Sequence, residues 1–257
     1  MQYRNITTGE EGDFTVVVMQ RPERRNTLSE QTLRELLHAF SAAGEGKARG
    51  VILAAEGTVF SSGHDFRDIE GRDQNAMHQL LDVCRDVMEI IQAIPQPVIA
   101  QVEGMATAGG CQLVATCDLA VAGESARFST PGGRGGWFCT TPGVAVARAV
   151  GRKRALEMLL TGDWIDAHTA ANWGLVNRVV PDDQVAQATR DLLSRATRGS
   201  TLSKGIGKRA FYRQADLDLR GAYDFATEVM ASSSQTEDAQ ENVRAFLEKR
   251  SSRFQNR

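Results

Sequence analysis

The sequence predicts an α/β fold built on a largely parallel sheet. Residues 51–55 form a short, continuously apolar run of the kind covered on both faces, and residues 98–102 form a second buried strand. Between such runs stand stretches with apolar residues at the i, i+3, i+4, i+7 spacing of a one-sided helix. To about residue 125 the order is strand, helix, strand, helix, strand, helix, strand, and that alternation builds parallel sheets through helical crossovers.

Each element follows from local chemistry. Residues 14–20 read as a strand stopped by Pro22. Ser29 is suited to cap a helix that buries Leu33, Leu36, Leu37 and Phe40. The polar residues 58–75 read as one long loop. A long amphipathic helix carrying Leu80, Leu81, Cys84, Val87, Met88 and Ile91 follows, ended by Pro95 and Pro97. After the 98–102 strand come a helix from Gly109, a strand at 118–123 and a Gly-rich loop over 126–143. Short helices are expected at 144–150, at 152–161 closed by Gly162, and at 166–173 closed by Gly174. A strand at 175–180 stops at Pro181. Beyond it the pattern is helical only, over 185–196, 204–213, 217–231 and 237–249. The nearest thing to a boundary is the polar stretch around Gly199, which divides a core at 1–198 from a helical region at 199–257.

Composition narrows the function classes. A chain of 257 residues with a formal net charge of −2 and no long block of like charge does not look like a nucleic-acid binder. No apolar run reaches the roughly 18 residues that span a bilayer, so membrane insertion is not expected. The N-terminal segment has neither a hydrophobic core nor Arg/Ser-rich amphipathic character, which suggests a cytoplasmic protein. Cys84, Cys111, Cys117 and Cys139 make no C-x-x-C pair and have no His at ligand spacing, so buried reduced thiols are expected and no metal site.

Two loops stand out because they follow buried strands and feed helices: FSSGHD and GMATAGG. Ligands of open α/β sheets collect beyond the carboxyl ends of strands. In the second loop, Gly109 and Gly110 allow a ligand to approach the backbone. The N–H groups of the first helical turn lack intrahelical acceptors and sit at the positive end of the dipole, a place for an anion or a developing oxyanion. The same glycines would equally serve close helix packing. The loop lacks the Gly-Lys-Ser/Thr ending of a phosphate loop. His64 beside Asp65 is either a base with its orienter or a solvated loop pair. Arg24 and Arg25 are either a solvated turn or a phosphate contact. Ser129 and Thr130 lie outside any G-x-S-x-G elbow. Gln112, one turn into the helix, is by itself an ordinary helix residue.

Together these segments resemble the enoyl-CoA hydratase/isomerase, or crotonase, superfamily. QRPERRNTLSEQTLREL is similar to its opening strand, turn and first helix, and GTVFSSGHDFRDI to its F-x-x-G-x-D loop. PVIAQVEGMATAGGCQLVATCDLAVAGESARFSTP resembles its central block, RAVGRKRALEMLLTGDWIDAHTAANWGLVNRVVP the block after it, and AFLEKR its last helix. Within the family the FSTPG and FCTTPGVAVARAV stretches are most similar to the enoyl-CoA hydratase domain-containing subgroup. The resemblance implies a crotonase-like spiral of ββα units over 1–198 that holds an acyl-CoA site. It implies a C-terminal helical region that mediates trimerisation, with trimers often paired into hexamers. Coenzyme A would enter as part of an acyl-CoA thioester substrate, with no separate cofactor. The backbone N–H groups of His64 and Gly109 would form the oxyanion hole. His64, Asp65 and Phe66 would surround the adenine, and Arg24 and Arg25 would lie near the CoA phosphates.

The departures are chemical. Hydratases of this family use two glutamates, because adding water to a double bond takes a proton from one place and delivers one to another. The first glutamate position is Gln112 and the second is Gly132. An oxyanion donor contributes roughly 10²–10³ in rate, and a positioned acid/base roughly 10²–10⁴. His64, Asp65, Asp68, Glu70, Cys139 and Thr140 are the other groups near the expected pocket, and none has a spacing that singles it out. Three readings stay open: an enolate-forming acyl-CoA enzyme with atypical acid/base groups, an acyl-CoA-binding or regulatory protein, and hydrolase- or dehalogenase-like thioester chemistry.

Overall fold

The computed structural model describes all 257 residues. The chain opens with β1 (Ile6–Glu11) and β2 (Phe14–Met19), an antiparallel pair turning at Gly12. A crossover through α1 (Glu30–Glu45) makes β3 (Gly50–Ala55) parallel to β2. Ser29 caps α1, accepting from the Thr32 N–H.

Then a β-β-α unit repeats. β3 is followed by β4 (Val59–Ser61) and α2 (Gln74–Ala93), which Asp73 caps. β5 (Val98–Val102) is followed by β6 (Met105–Thr107) and α3 (Gly109–Thr116). β7 (Leu119–Gly123) is followed by β8 (Arg127–Ser129) and α4 (Thr140–Val150). The first strand of each unit enters a six-stranded sheet of order β1-β2-β3-β5-β7-β10, closed by β10 (Arg178–Val180). The second enters a four-stranded sheet of order β4-β6-β8-β9, closed by β9 (Ile165–Asp166). Between α4 and β10 run α5 (Arg152–Thr161) and α6 (Ala167–Trp173), ended by left-handed Gly162 and Gly174.

The large sheet is covered on both faces. Val17, Leu53, Val98, Ala100 and Ala122 face the main core with α1, α2 and α3. Val16, Ile52, Ile99 and Val121 face Val185 and Leu193 of α7 (Val185–Ala196). This two-sided burial is why these strands lack polar alternation. The chain ends in α8 (Thr201–Gln214), α9 (Leu219–Ser233) and α10 (Glu237–Leu247).

The sequence expectation differs at short elements. β1 was not foreseen, because only Ile6 of its six residues is buried and an edge strand needs no apolar alternation. β4, β6 and β8 have three residues each, too few to display a period, so they read as loop. Helix α4 starts at Thr140 rather than at 144, with Pro142 in its first turn where no N–H is needed. The four cysteines are buried and unbridged.

Candidate active site

The site forms where β4, β6 and β8 end side by side. Their loops, not those directly after β3 and β5, converge, because each unit passes into the small sheet before its helix begins. The first loop is pinned from below. Asn26, buried in a left-handed conformation, accepts from the Arg21 N–H and donates to the Glu56 and Val59 carbonyls. Ser61 donates to the Asn26 carbonyl, and the Leu28 N–H donates to the Gly63 carbonyl, pairing Leu28 with His64. Gly63 has φ +84°, and a Cβ there would lie 2.9 Å from the Gly109 nitrogen.

The two glycines of the second loop divide the roles that the sequence left open. A Cβ on Gly110 would meet the Ser61 carbonyl oxygen at 2.2 Å, so Gly110 is there for packing. A Cβ on Gly109 would stand 3.8 Å from the His64 nitrogen, so Gly109 brings two backbone amides together. As the first residue of α3, Gly109 has no intrahelical acceptor, and none of the turn, loop and cap bonds uses its N–H or that of His64. Ala108 before it holds φ +49° and ψ −116°, a conformation that costs on the order of 1–3 kcal/mol for a residue with a side chain. Its N–H donates to the Ser129 carbonyl, so β8 holds the strained residue and thereby aims the amide that follows.

These amides border a cavity of about 700 Å³ lined by His64, Thr107, Gly109, Gly132, Trp137 and Cys139 among others. Phe66 stands largely exposed at its rim. A separate cleft formed by Glu237, Arg250 and neighbours contains only polar side chains and lies in the C-terminal tail, away from these loops. Asp65 turns away from His64: it caps the turn at Phe66–Asp68 and accepts from the Thr27 hydroxyl. The adjacent pair is therefore not a base with its orienter. Arg24 is half-buried and Arg25 exposed in a left-handed conformation, its carbonyl accepting from Ser62 N–H. Neither arginine, nor Asp65, lines the cavity; Arg134 does.

The two positions that the resemblance aligns with the family's glutamates differ in kind. Gln112 is buried in α3, and its side-chain oxygen has no hydrogen-bond partner within the protein. It is not the locally bonded helix residue that its type suggests. Gly132 is not an open slot. A Cβ there would lie 2.2 Å from the Trp137 carbonyl oxygen and 2.7 Å from the Cys139 sulfur. The 131–139 turn closes over it, with Trp137 N–H donating to the Gly132 carbonyl and Gly132 N–H donating to the Cys139 sulfur.

Polar atoms without partners concentrate here. Of seven buried side-chain atoms lacking a hydrogen bond, five belong to His64, Thr107, Gln112 and Thr130, on the loops and elements of this site. Buried polar groups are satisfied as a rule, so such a concentration marks a place made for something else to bond. The His64 imidazole packs beside Trp137, with ring centroids 6.3 Å apart. Burial pushes its pKa below the ordinary histidine value, while the Leu28 backbone and Asp68 oppose the shift. Burial raises the Cys139 thiol, opposed by the Gly132 N–H. Asp68, which accepts from the Glu30 N–H, and Trp137 carried no distinguishing sequence signal.

Comparison with known proteins places this geometry in context. The model of the enoyl-CoA hydratase/isomerase family matches residues 9–257. The mouse enoyl-CoA hydratase domain-containing protein 3, mitochondrial, is 41% identical over 251 residues, covering 96% of this chain and 83% of the relative. Its human counterpart is 43% identical, covering 91% of this chain and 78% of the relative. The crystal structure of an enoyl-CoA hydratase from Mycobacterium smegmatis superposes with a TM-score of 0.94 at 41% identity, covering 97% of this chain and 98% of that one. That of the human domain-containing protein 3 has a TM-score of 0.93 at 40% identity, covering 98% and 100%. The crotonase-like α/β spiral is therefore the fold of this chain. The cytoplasmic placement is corrected: the mouse, frog and human relatives carry "mitochondrial" in their names. The N-terminal residues could not decide it, because Asn5 and Ile6 are buried parts of the fold.

Proposed function

This chain belongs to the enoyl-CoA hydratase/isomerase family, and from that premise we propose that it is an enzyme of acyl-CoA metabolism that works through an enolate. The observation carrying this reading is the convergence of the His64 and Gly109 amides at the border of the cavity. Both donate to the thioester oxygen. As charge moves onto that oxygen their bonds shorten and strengthen, which lowers the barrier selectively. Because the strained loop and the helix hold them beforehand, little reorganisation is needed when charge develops. The coenzyme A moiety enters as part of the substrate, its adenine beside the backbone of His64 and Asp65 and the ring of Phe66, and its phosphates toward Arg24 and Arg25. No resident cofactor is required.

The proton chemistry is atypical. Gln112 orients a water or a substrate oxygen but exchanges no proton at neutral pH. Gly132 supplies no side chain. A second reading follows from the closed turn over Gly132: a protein that binds acyl-CoA without hydrating it. A panel of enoyl-CoAs of increasing chain length, followed by loss of the conjugated absorbance, separates the two when run beside calorimetry with saturated acyl-CoA. Turnover with any member supports the enzyme. Binding with no turnover across the panel supports the second reading, and absence of both removes acyl-CoA as the ligand. Gln112→Glu should raise hydration, since it places a titratable group on the buried face of α3.

A further inference from the structure

We propose that the side chain of His64 is the proton-transferring group of this site, taking the part that the two missing carboxylates leave open. The inference rests on the acyl-CoA reading above and assigns its acid/base step to a named residue.

Four observations carry it. First, His64 lines the same cavity as Gly109 and Gly132. Second, both of its ring nitrogens are buried without a hydrogen-bond partner, an arrangement that structural histidines avoid because an unpaired buried nitrogen is costly. The ring packs between the Leu28 backbone, which favours its protonated form, and Trp137, so a turn of the side chain is what brings a nitrogen to a bound substrate. Third, its backbone N–H is one of the two converging amides, so a carbonyl bound there lies next to the imidazole of the same residue. Fourth, the remaining polar groups are unsuited. Ser62, Thr107, Thr140 and Thr141 offer only hydroxyls and Gln112 only an amide, neither of which titrates near neutrality, Cys139 is pushed upward by burial, and the Arg134 guanidinium is a donor with no lone pair to accept a proton.

Hydration then balances around one base. The neutral imidazole accepts a proton from water as the water oxygen bonds to the β-carbon. The π electrons of the double bond move onto the thioester oxygen, held by His64 and Gly109 N–H. The imidazolium returns a proton to the α-carbon as the carbonyl re-forms, and the side chain ends neutral. Burial holds the ring neutral at pH 7, as a base must be. The charged and titratable groups around it are Asp68 on its own loop, which favours the protonated ring, and Arg134 and Cys139 on the facing loop. β6, α3 and α2 contribute only Thr107, Ala108, Gly109 and Leu81 to the cavity.

The test uses the full-length protein and His64→Ala, which keeps the backbone amide, with His64→Gln as a variant of similar size. Three quantities are read: turnover of the best enoyl-CoA, binding of butyryl-CoA by calorimetry, and exchange of the butyryl-CoA α-protons in D₂O by NMR. The expected result is a fall in kcat of about 10²–10⁴-fold in both variants with butyryl-CoA affinity kept within a few-fold. Exchange should be lost, and added imidazole should partly restore it to His64→Ala. The acid limb of the wild-type kcat/KM profile should lie below the ordinary histidine value and be absent from both variants. Wild-type turnover in His64→Ala overturns the inference while leaving the acyl-CoA reading intact. Loss of binding in both variants, with the fold intact by circular dichroism, assigns His64 to positioning and overturns it too. A wild-type protein that neither binds nor exchanges butyryl-CoA and turns over no enoyl-CoA removes both.

Discussion

At the scale of single residues, the two positions that the resemblance aligns with family carboxylates are unequal. Gln112 already holds a side chain one atom type away from glutamate in a buried space. Gly132 holds none, and a Cβ there would overlap the Trp137 carbonyl. Gly132→Glu should therefore not restore a second acid. It should open the 131–139 turn and lower the melting temperature, with no gain in hydration; a stable variant with raised turnover would contradict the closed-turn account. Sequence comparison with a family pattern identified both positions because glutamate was expected there. It was silent on Glu35, whose buried carboxylate accepts from the Arg4, Asn5 and Ile6 N–H groups, and on Asn26 beneath the first loop. A lone polar residue on an otherwise amphipathic helix or in a turn has no local signature of its distant partners.

At the scale of elements, the C-terminal helices are fastened to the core by one buried polar knot. Lys208 of α8 bonds Asp118 at 2.7 Å and donates to the Ile91 and Gln96 carbonyls, capping the end of α2 and the turn into β5. Asp118 also accepts from the Val98 N–H and the Tyr212 hydroxyl. Burial raises the Asp118 carboxyl and lowers the Lys208 ammonium, and their mutual attraction opposes both shifts without cancelling them. Lys208→Met leaves the carboxylate buried without its cation and should cost about 3–5 kcal/mol in urea unfolding. Tyr212→Phe, which removes one of several bonds to that carboxylate, should cost about 1–2 kcal/mol. Equal small losses for both would show that α8 is held by apolar packing instead.

At the scale of the whole molecule, the two sheets and their three parallel ββα units put the loops after β4, β6 and β8 at one place, and the helical tail lies beyond. That tail leaves Phe211, Leu219, Tyr223, Met230, Phe246 and Leu247 exposed, and large apolar side chains gathered on exposed helices suit a surface that another protein surface covers. Self-association as a trimer, or as a pair of trimers, is the proposal that accounts for it. Sedimentation velocity should find a mass of three or six chains, and a strictly monomeric species would count against it.

The sequence by itself determined the α/β class, the long helices, the two-sided burial of the large sheet and the family. The first three follow from local periodicity and capping chemistry and the family from the resemblance of whole segments, all of which a linear chain carries openly. Only the tertiary structure decided that the site follows the three-residue strands, that Gly110 packs while Gly109 presents its amide, that Asp65 turns from His64, and that the Gly132 position is filled by backbone. Each depends on groups far apart in the chain meeting within a few ångströms, and no local pattern records such a meeting.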